Sequence, residues 1–338
     1  MGMNDRAGKA SGFDVIGDIH GNKDGLTGLL EHLGYNEDSG TYHHRRGRIA
    51  VFLGDYINKG PEPLHVVKII KNMVEAGNAV ALMGNHELRA ILSSYKPEMG
   101  YYKGEHSFYD YAPHGSSEYD DCIAFFKTLH PFYQIGQAKF VHAYWDPASV
   151  EIVREYCNPD LHLNGDVFQM YLAKQEPAYS ALSTLLHGQY LDLPPGLSFN
   201  CATGIISRRP SIMWWRGEDI QASEKIVVHG HKFTDRQLEA IDTYGLHRGN
   251  LKNSYKPHAG DGSVYFFGHY QLTKEFDSQT RRHVCLDYGS SAIVCYRISR
   301  AEMEAANSPG NSPGPSLCKD NLVVMSSYFN SGLRPLAL

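Results

Sequence analysis

The sequence predicts an α/β fold, or more broadly α+β, built on a largely parallel sheet that is sheltered by helices. Strand and helix signals alternate over the first third of the 338 residues in the order β-α-β-α-β. The strands are continuous apolar runs, as expected of strands that are buried on both faces. Each run also ends in glycine followed by polar residues, so these polar side chains are expected to lie together at one edge of the sheet.

The first third supplies three strands and the helices between them. The predicted strands are residues 13–19, 48–55 and 78–85. Leucines at helical spacing predict a helix over residues 23–33, which Gly34 ends. Pro61 and Pro63 open a second helix, and a third begins at Glu87.

The remaining two thirds are less regular. Residues 95–120 are predicted as a long loop, residues 119–129 as a helix and residues 132–144 as a hairpin of two strands. Helical segments follow over residues 147–190. Strand-like runs then dominate, at residues 211–215, 225–230, 264–270, 283–288 and 292–299.

One elaborated domain is predicted rather than two. Residues 1–12 are expected to form a disordered N-terminal tail, and residues 13–304 to form the domain. Residues 305–338 are expected to be a flexible linker and C-terminal tail, since residues 305–317 are rich in Pro, Gly and Ser. The run at 321–329 either adds a last strand or remains loosely held.

Composition and charge exclude some partners. The formal net charge of −5 argues against duplex nucleic acid or an anionic membrane, whose binding needs a basic face, but leaves room for a local basic pocket. No stretch approaches the roughly 18 apolar residues of a membrane span. Six cysteines without C-x-x-C spacing indicate reduced, mostly buried thiols in a cytoplasmic protein.

Three strand ends carry potential metal ligands. Gly-Asp-Ile-His-Gly stands at 17–21, Gly-Asp-Tyr at 54–56 and Gly-Asn-His-Glu at 84–87. A single strand-ending Gly-Asp is ordinary turn chemistry. Three in succession indicate a site, because the carboxyl ends of adjacent parallel strands meet at one edge. The side chains expected there are Asp18, His20, Asp55 and Asn85.

These motifs resemble those of the calcineurin-like metallophosphoesterases, in particular the phosphoprotein phosphatase branch. That branch has GDxHG, GDxVDRG and GNHE, and this sequence has GDIHG, GDYINKG (54–60) and GNHE, followed by VHA at 141–143. VHAYWD, MWW, FFGHY and CLDY further resemble a group of uncharacterised bacterial phosphoesterases. The resemblance implies a four-layer β-sandwich of two mixed sheets flanked by helices.

The resemblance also implies a dinuclear metal centre. The first metal is expected on Asp18 and His20, and Asp55 is expected to bridge both metals. The second metal is expected on Asn85, His142 and one late histidine. This mixed oxygen and nitrogen ligation suits Mn, Fe or Zn, as two divalent or trivalent ions that hold a bridging hydroxide as the nucleophile. His86 is then expected to be the general acid.

Two Gly-His pairs compete for the late ligand. His269 lies 18 residues before Asp287 and His231 lies 56 before it. The family places its Gly-His shortly before its final Asp-x-Gly, here Asp287-Tyr288-Gly289, so His269 is preferred. His229 and His231 are alternatively core or rim residues.

The sequence departs from the family pattern at two positions. Asn58 replaces the aspartate that accepts a hydrogen bond from the general acid, and Lys59 replaces the arginine that grips the phosphate. Asn58 is expected to accept through its carbonyl without supplying charge, which predicts a more acidic pH optimum. Lys59 is expected to bind the phosphate as a point charge. Arg216 is either a second phosphate ligand or an exposed arginine at a strand end.

The favoured function is that of a phosphatase acting on a phosphomonoester, such as a Ser/Thr phosphoprotein. Hydrolysis of a dinucleoside polyphosphate such as diadenosine tetraphosphate is the alternative, in which tyrosines of residues 101–119 stack on bases or, alternatively, pack a loop. A non-catalytic metal-binding interaction protein is the third reading. The expected partner is therefore a phosphorylated substrate, with no membrane or duplex nucleic acid, and the oligomeric state stays open.

Overall fold

Two mixed sheets lie face to face, with helices packed on their outer faces. The computed structural model describes residues 9–99, 102, 104–200, 206–216, 221–228, 231–247, 263–272, 282–289, 292–305 and 321–326. The α/β class and the two-sheet architecture expected from the sequence are both confirmed by this arrangement.

The strands and helices follow in chain order. The strands are β1 (Gly12–Ile16), β2 (Tyr35–Asp38), β3 (Thr41–His44), β4 (Ile49–Phe52), β5 (Ala79–Ala81), β6 (Phe132–Ile135), β7 (Ala138–Val141), β8 (Phe199–Asn200), β9 (Ile206–Ser207), β10 (Ser211–Ile212), β11 (Ile226–Val227), β12 (Val264–Phe267), β13 (His283–Cys285), β14 (Ala292–Ser299) and β15 (Leu322–Ser326). The helices are α1 (Lys23–Leu33), α2 (Pro63–Glu75), α3 (Asn85–Tyr95), α4 (Phe108–Tyr111), α5 (Ser117–Phe126), α6 (Pro147–Arg154), α7 (Gly165–Leu172), α8 (Ala178–His187), α9 (Ala222–Lys225), α10 (Asp235–His247) and α11 (Arg300–Ala305).

The first sheet has the strand order β15-β14-β1-β4-β5. Strand β1 runs parallel to β4, and β4 runs parallel to β5, as the β-α-β-α-β pattern predicts. Strand β14 is antiparallel to both β1 and β15. The carboxyl ends of β1, β4 and β5 therefore meet at one edge, which is where the three motifs lie.

The second sheet has the strand order β13-β12-β7-β6. Strands β6 and β7 form the predicted antiparallel hairpin. Strand β12 is parallel to both β7 and β13. The ends of β7 and β12 carry His142 and, after Gly268, His269, so the second sheet brings two histidines from distant parts of the chain into the same neighbourhood.

Side-chain alternation along the strands divides the core into two layers. Val15 and Val51 pack with Phe266 of the second sheet in the cluster between the sheets. Ile16 and Phe52, one position further along, belong to the cluster that includes the apolar faces of the helices. Successive side chains point to opposite faces of a strand, so the first sheet is covered on both sides. The order of layers is therefore helices, sheet, sheet, helices.

Helix ends explain two of the boundaries. Asn22 caps α1 by accepting from the Gly25 amide, and Gly34 ends it with φ of +94°. Helix α3 begins at Asn85, two residues before the predicted start at Glu87. Gly84 is extended and precedes the first turn, while the Glu87 side chain accepts from the Gly84 amide. The helix therefore includes the motif itself.

The segment predicted as a long loop over residues 95–120 contains helical structure instead. It holds a 3-10 turn at Pro97–Met99, α4 and the start of α5. Phe108 is fully buried, with ring centroids 6.1 Å from Tyr119 and 5.9 Å from Phe126. This local apolar cluster orders a segment whose polar composition suggested a loop.

Several runs predicted as strands are shorter than expected. Strand β10 ends at Ile212, and Trp214 and Trp215 follow in a turn. Both rings are nevertheless 1% exposed, and Trp214 Nε1 donates to the Ala143 carbonyl at 3.0 Å. Both tryptophans are therefore core residues.

The chain termini refine the predicted boundaries. Residues 322–326 form β15 on the edge of the first sheet, which is one of the two alternatives left open for this run. The predicted linker at 305–317 lies, after Ala305, outside the described residues. At the other end, β1 begins at Gly12, within the segment predicted as a tail, and Ala10 is buried.

In the described part of the chain, the cysteines at 122, 157, 285 and 295 are free thiols, three of them buried. None of its helices combines the length and the apolar character that crossing a membrane requires.

Candidate metal centre

Carboxylates and imidazoles from both sheets converge at the strand ends. Asp18 and His20 follow β1, Asp55 follows β4, and Asn85 opens α3 four residues after the end of β5. Two groups of potential ligands, each with ligand atoms within 4.8 Å of one another, form there. They are His20, Asp55 and His86, and Asp18, Asp55 and His142. Asp55 belongs to both groups, as a bridging carboxylate would.

Backbone carbonyls orient two of the imidazoles. His20 Nδ1 lies 3.2 Å from the Ile57 carbonyl, and His142 Nδ1 lies 2.8 Å from the Leu53 carbonyl. A carbonyl only accepts, so in each ring Nδ1 carries the proton and Nε2 presents a lone pair. His20 Nε2 is 3.8 Å from Asp18 Oδ2 and 3.9 Å from Asp55 Oδ2. Such orientation of imidazoles by a backbone acceptor is typical of metal ligands.

His142 and His269 meet at Asn85. His142 Nε2 lies 2.9 Å and His269 Nδ1 lies 3.1 Å from Asn85 Oδ1. His142 Nε2 and the amide oxygen both carry lone pairs, so a cation between them could be bound by both. His142 Nε2 is also 3.4 Å from Asp55 Oδ1, and the His269 amide donates to Asp18. This set of oxygen and nitrogen donors fits transition-metal ions.

Lys59 places a positive charge beside these donors. Its Nζ lies 2.7 Å from His20 Nε2, where the ammonium donates to the imidazole lone pair. The same ammonium lowers the pKa of His20 in addition to the larger effect of burial. This bond uses the Nε2 lone pair that a metal ion on His20 would need, so metal binding there would require Lys59 to turn away.

Burial drives the ionisable groups of the site toward their neutral forms. Burial, with the charge of Asp287, raises the pKa of Asp18 well above its ordinary value. Burial also raises the pKa of Asp55 to about 7. Burial lowers the pKa values of His142 and His269. A bound cation would lower the pKa values of both carboxyl groups, because an opposite charge nearby favours their ionised form.

Glu87 ties the strand ends together and was missed as a site residue by the sequence analysis. Its carboxylate is fully buried and accepts from the backbone amides of Gly84, Asp55 and Tyr56 at 3.0, 2.8 and 2.9 Å. Burial raises its pKa to about 7, with the charge of Asp55 adding to the effect. The glutamate of the GNHE motif is the sequence feature that could have indicated this role.

Asn58 orients the ring of His86 in a way that differs from the expectation. Its Oδ1 accepts from the Phe108 amide at 2.8 Å, so its Nδ2 faces His86 Nδ1 at 2.6 Å. Asn58 therefore donates to the histidine and does not accept from it through the carbonyl. His86 Nδ1 must be the acceptor, which leaves the ring proton on Nε2. His86 Nε2 lies 3.7 Å from Asp55 Oδ2, at the centre of the site.

Backbone strain is concentrated at these positions. Among the described residues, ten other than glycine have positive φ, and five of them are predicted site residues. The five are His20, Asp55, Asn58, Lys59 and His269, with φ between +49° and +69°. Such conformations cost of order 1–3 kcal/mol each and persist where the surrounding structure enforces them, often at functional sites.

Gly54 and Gly268 allow the close approach of the strand ends. Gly54 has φ of +106°, and a Cβ there would lie 2.7 Å from the backbone of Gly84. A Cβ on Gly268 would overlap Asp18 Oδ1. Side chains at either position would push apart the elements that carry the ligands.

The remaining predicted residues lie elsewhere. The His231 ring contacts Phe199 and Phe233, with centroid distances of 6.4 and 4.6 Å, whereas His269 is at the strand ends. His229 lies outside the described residues. Arg216 Nη1 donates to the Glu224 carbonyl at 3.5 Å, so its recorded contact is with α9.

One tyrosine of the 101–119 group borders the site. The Tyr102 ring lies 5.5 Å from the His86 ring, centroid to centroid. Tyr109 and Tyr119 instead bond to Ser93 and pack with Phe108, and Tyr111 bonds to His106. Tyr101 lies outside the described residues. Most of the group that the structure describes thus packs the segment, and Tyr102 remains beside the site.

Comparison with known proteins relates the chain to one family. The profile of the calcineurin-like phosphoesterases matches residues 12–272. The asymmetrical bis(5'-nucleosyl)-tetraphosphatase PrpE of Halalkalibacterium halodurans is 42% identical over 74 residues, which are 22% of this chain and 30% of that protein. The protein of the same name from Bacillus subtilis is 38% identical with the same coverage. The chain therefore matches less than a third of the length of these curated relatives.

One solved structure aligns with most of the chain. The protein serine/threonine phosphatase of Saccharomyces cerevisiae, with similarity to human phosphatase PP5, is 13% identical with a TM-score of 0.44. The alignment covers 96% of this chain and 82% of that one.

Proposed function

The chain belongs to the calcineurin-like phosphoesterase family of hydrolases, and from this premise we propose that it is a metal-dependent phosphatase acting on a phosphomonoester. The observation that carries the proposal is the position of Asp55 in two overlapping ligand groups. A carboxylate shared by two ligand groups in this way can bridge two adjacent ions.

The metal ligands proposed are those predicted from the sequence, and their division between the ions differs from the two observed groups, which pair Asp18 with His142 and His20 with His86. Asp18 and His20 would hold the first ion, and Asn85, His142 and His269 the second, with Asp55 between them. When bound, a pair of Mn, Fe or Zn ions would supply Lewis acidity toward a water nucleophile and toward the phosphate oxygens. His269 is proposed over His231 because its ring lies 3.1 Å from Asn85 Oδ1.

His86 is proposed as the general acid. With Asn58 donating to Nδ1, the proton on Nε2 is directed to the same side as Asp55 Oδ2, 3.7 Å away. The form that acts as acid would be the imidazolium, which gives its Nε2 proton to a leaving-group oxygen at that side and is left neutral with a proton on Nδ1, and forming it requires the Asn58 amide to turn away from Nδ1. Asn58 acts by orienting the ring, and the Phe108 amide in turn holds Asn58.

Lys59 is proposed to bind the substrate phosphate. Its ammonium lies among the donors of the site, and three rotatable protons let it follow a phosphate oxygen as charge develops. Arg216 is kept as a second candidate for this role and requires a movement away from the Glu224 carbonyl.

A dinucleoside polyphosphate is the second candidate substrate. Two observations favour it: the curated relatives are named bis(5'-nucleosyl)-tetraphosphatases, and the Tyr102 ring stands beside His86, where a base could stack. The leading proposal remains a phosphomonoester, including a Ser/Thr phosphoprotein. A cytoplasmic location is proposed from the free thiols, which suit a reducing compartment.

The test compares three substrates on the full-length chain with Mn²⁺. They are p-nitrophenyl phosphate, a phosphoserine peptide and diadenosine tetraphosphate, and the faster of the last two identifies the substrate class. Asp55→Asn is expected to lower kcat by on the order of 10²-fold or more, because it weakens both ligand groups. Asp166→Asn, an exposed aspartate on α7, is the matched control and should leave the rate unchanged.

Absence of turnover on all three substrates, with metal still bound, would reject the phosphatase and favour the non-catalytic metal-binding protein. Equal rates for wild type and Asp55→Asn would reject the proposed centre.

A further inference from the structure

Arginine side chains surround a pocket at the end of the first sheet that lies away from the candidate metal centre. The pocket has a volume of about 540 Å³, and its lining includes Arg45, Arg46, Arg48, Arg297 and His44. We refer to these five residues and the space between them as the arginine pocket.

The arginine pocket is separate from the strand-end site. Arg48 directly precedes β4, whereas Asp55 follows the end of that strand. Arg297 of β14 is in register with Asp14 of β1, and Asp14 lies four residues before Asp18. Four residues of extended strand span roughly 13 Å, so the two sites lie at opposite ends of the same strands.

A buried carboxylate holds two of the guanidinium groups in place. Asp14 is fully buried and accepts from Arg48 Nη2 at 2.7 Å and from Arg297 Nε at 2.9 Å. Arg48 Nη2 also donates to the Phe13 carbonyl at 2.6 Å, and Arg297 Nη2 donates to the Leu33 carbonyl at 3.1 Å. The Nη1 groups take part in none of these bonds. Both guanidinium groups are therefore fixed before any ligand arrives.

Positive charge exceeds negative charge in the arginine pocket. Asp14 supplies one carboxylate against four arginines. Glu302 is a second carboxylate near Arg48, and it is bonded to the Ser299 amide and to Asn321. In a chain with a formal net charge of −5, this local excess of arginine stands out.

His44 contributes shape and no charge. Its Nε2 lies 3.1 Å from the Leu33 carbonyl, and its Nδ1 accepts from the Arg46 amide at 3.0 Å. One nitrogen must donate and the other must accept, so the imidazole is neutral. The bond to the Arg46 amide also fixes the turn on which the exposed Arg45 and Arg46 side chains stand.

We propose that the arginine pocket binds a small anion that carries phosphate groups. Guanidinium forks match phosphate oxygens in a bidentate way, and arginine loses less solvation than lysine on binding. Arg48 and Arg297, whose Nε and Nη2 atoms are bonded to Asp14 and to backbone carbonyls, would contribute positive charge, and the exposed Arg45 and Arg46 would contribute complete guanidinium forks. The proposal is independent of the proposed phosphatase, since its test measures binding and not turnover.

The experiment measures binding of inorganic pyrophosphate to the full-length chain by calorimetry at low ionic strength. The variant Arg45→Gln/Arg46→Gln removes the exposed arginines and leaves the bonds of Asp14 intact. The matched control is Arg154→Gln/Arg236→Gln, which removes two exposed arginines from α6 and α10. Because all three proteins keep the strand-end site, any difference between them reports on the arginine pocket.

The pocket variant is expected to bind pyrophosphate roughly tenfold or more weakly than wild type, since each charged hydrogen bond lost contributes to affinity. The control pair is expected to bind as wild type does. Equal affinity in wild type and pocket variant would overturn the proposal, as would an equal loss in the control pair, which would indicate non-specific attraction.

A nucleoside diphosphate titrated in the same way distinguishes two sources of the phosphate group. Binding tighter than that of pyrophosphate, and lost in the pocket variant, assigns a nucleotide. Weaker binding, also lost in that variant, assigns an inorganic anion. Either ligand binding equally well to the pocket variant counts against the proposal.

Discussion

Two hydrogen bonds fix the side-chain amide of Asn58 and, through it, the chemistry of His86. The Phe108 amide occupies Oδ1, and Nδ2 donates to His86 Nδ1. If His86 Nδ1 were protonated, its N–H would face the N–H of Asn58 Nδ2, and two donors would oppose each other. The direction of these bonds agrees with the lowered pKa of His86, which follows from burial and from the neighbouring charges of His20 and Lys59. At the residue scale, a change from Asp to Asn therefore changes the preferred state of the ring.

We predict that Asn58→Asp moves the basic limb of the pH–rate profile to higher pH. A carboxylate accepts from a protonated Nδ1 and favours the imidazolium, so the pKa of His86 rises and the acid form persists to higher pH. Asn72→Asp adds the same charge on α2, away from the site, and should leave the profile unchanged. Coincident basic limbs in wild type and Asn58→Asp would contradict the prediction.

At the scale of elements, the site depends on how closely β4 and β5 approach at their ends. Gly54 and Gly84 touch there, and Glu87 bonds to amides that follow both strands. The proposed ligands Asp55 and Asn85 are the next residues along the chain. Their positions are thus set by strand packing before any ion binds.

We predict that Gly54→Ala is more destabilising than Gly115→Ala. Both glycines have positive φ, +106° and +82°, so both substitutions incur backbone strain of about 1–2 kcal/mol. A Cβ at position 115 meets no atom within 4 Å, whereas one at position 54 meets the Gly84 backbone at 2.7 Å. Chemical denaturation measures both free energies of unfolding. Equal losses would mean that strand contact adds nothing to the cost.

At the scale of the whole molecule, burial of titratable groups links stability to pH. Eight of the described histidines have pKa values that burial lowers: His20, His44, His86, His130, His142, His162, His187 and His269. Three acids have pKa values that burial raises: Asp18, Asp55 and Glu87. Between about pH 5 and pH 6.5 the unfolded chain binds protons on the histidines, while the folded chain binds them on the acids.

We predict that the free energy of unfolding of the metal-free protein increases as pH rises from about 5 to about 6.5. The histidines outnumber the acids, so the unfolded state binds more protons, and each uncompensated proton contributes about 1.4 kcal/mol per pH unit. Urea unfolding at several pH values in the presence of a chelator measures the slope. Stability that falls as pH rises over this interval would show that the acids dominate.

The sequence by itself determined the elements that carry the site. Continuous apolar runs placed β1, β4 and β5, and the polar residues after them placed Asp18, Asp55 and Asn85 at one edge, because period and turn chemistry are local properties. The family followed from the same motifs and is confirmed by the profile match over residues 12–272. The order within residues 95–120 did not follow, since it depends on packing of Phe108.

Only the tertiary structure decided which distant groups meet. The approach of His269 rather than His231 to Asn85 depends on β12 pairing with β7, and the direction of the Asn58 amide depends on an N–H fifty residues away. The arginine pocket likewise joins residues 45–48 to Arg297 through Asp14. Spacing along a chain does not encode such contacts, because they arise when strands from separate parts of the sequence pair and bury a polar group that must find its partner.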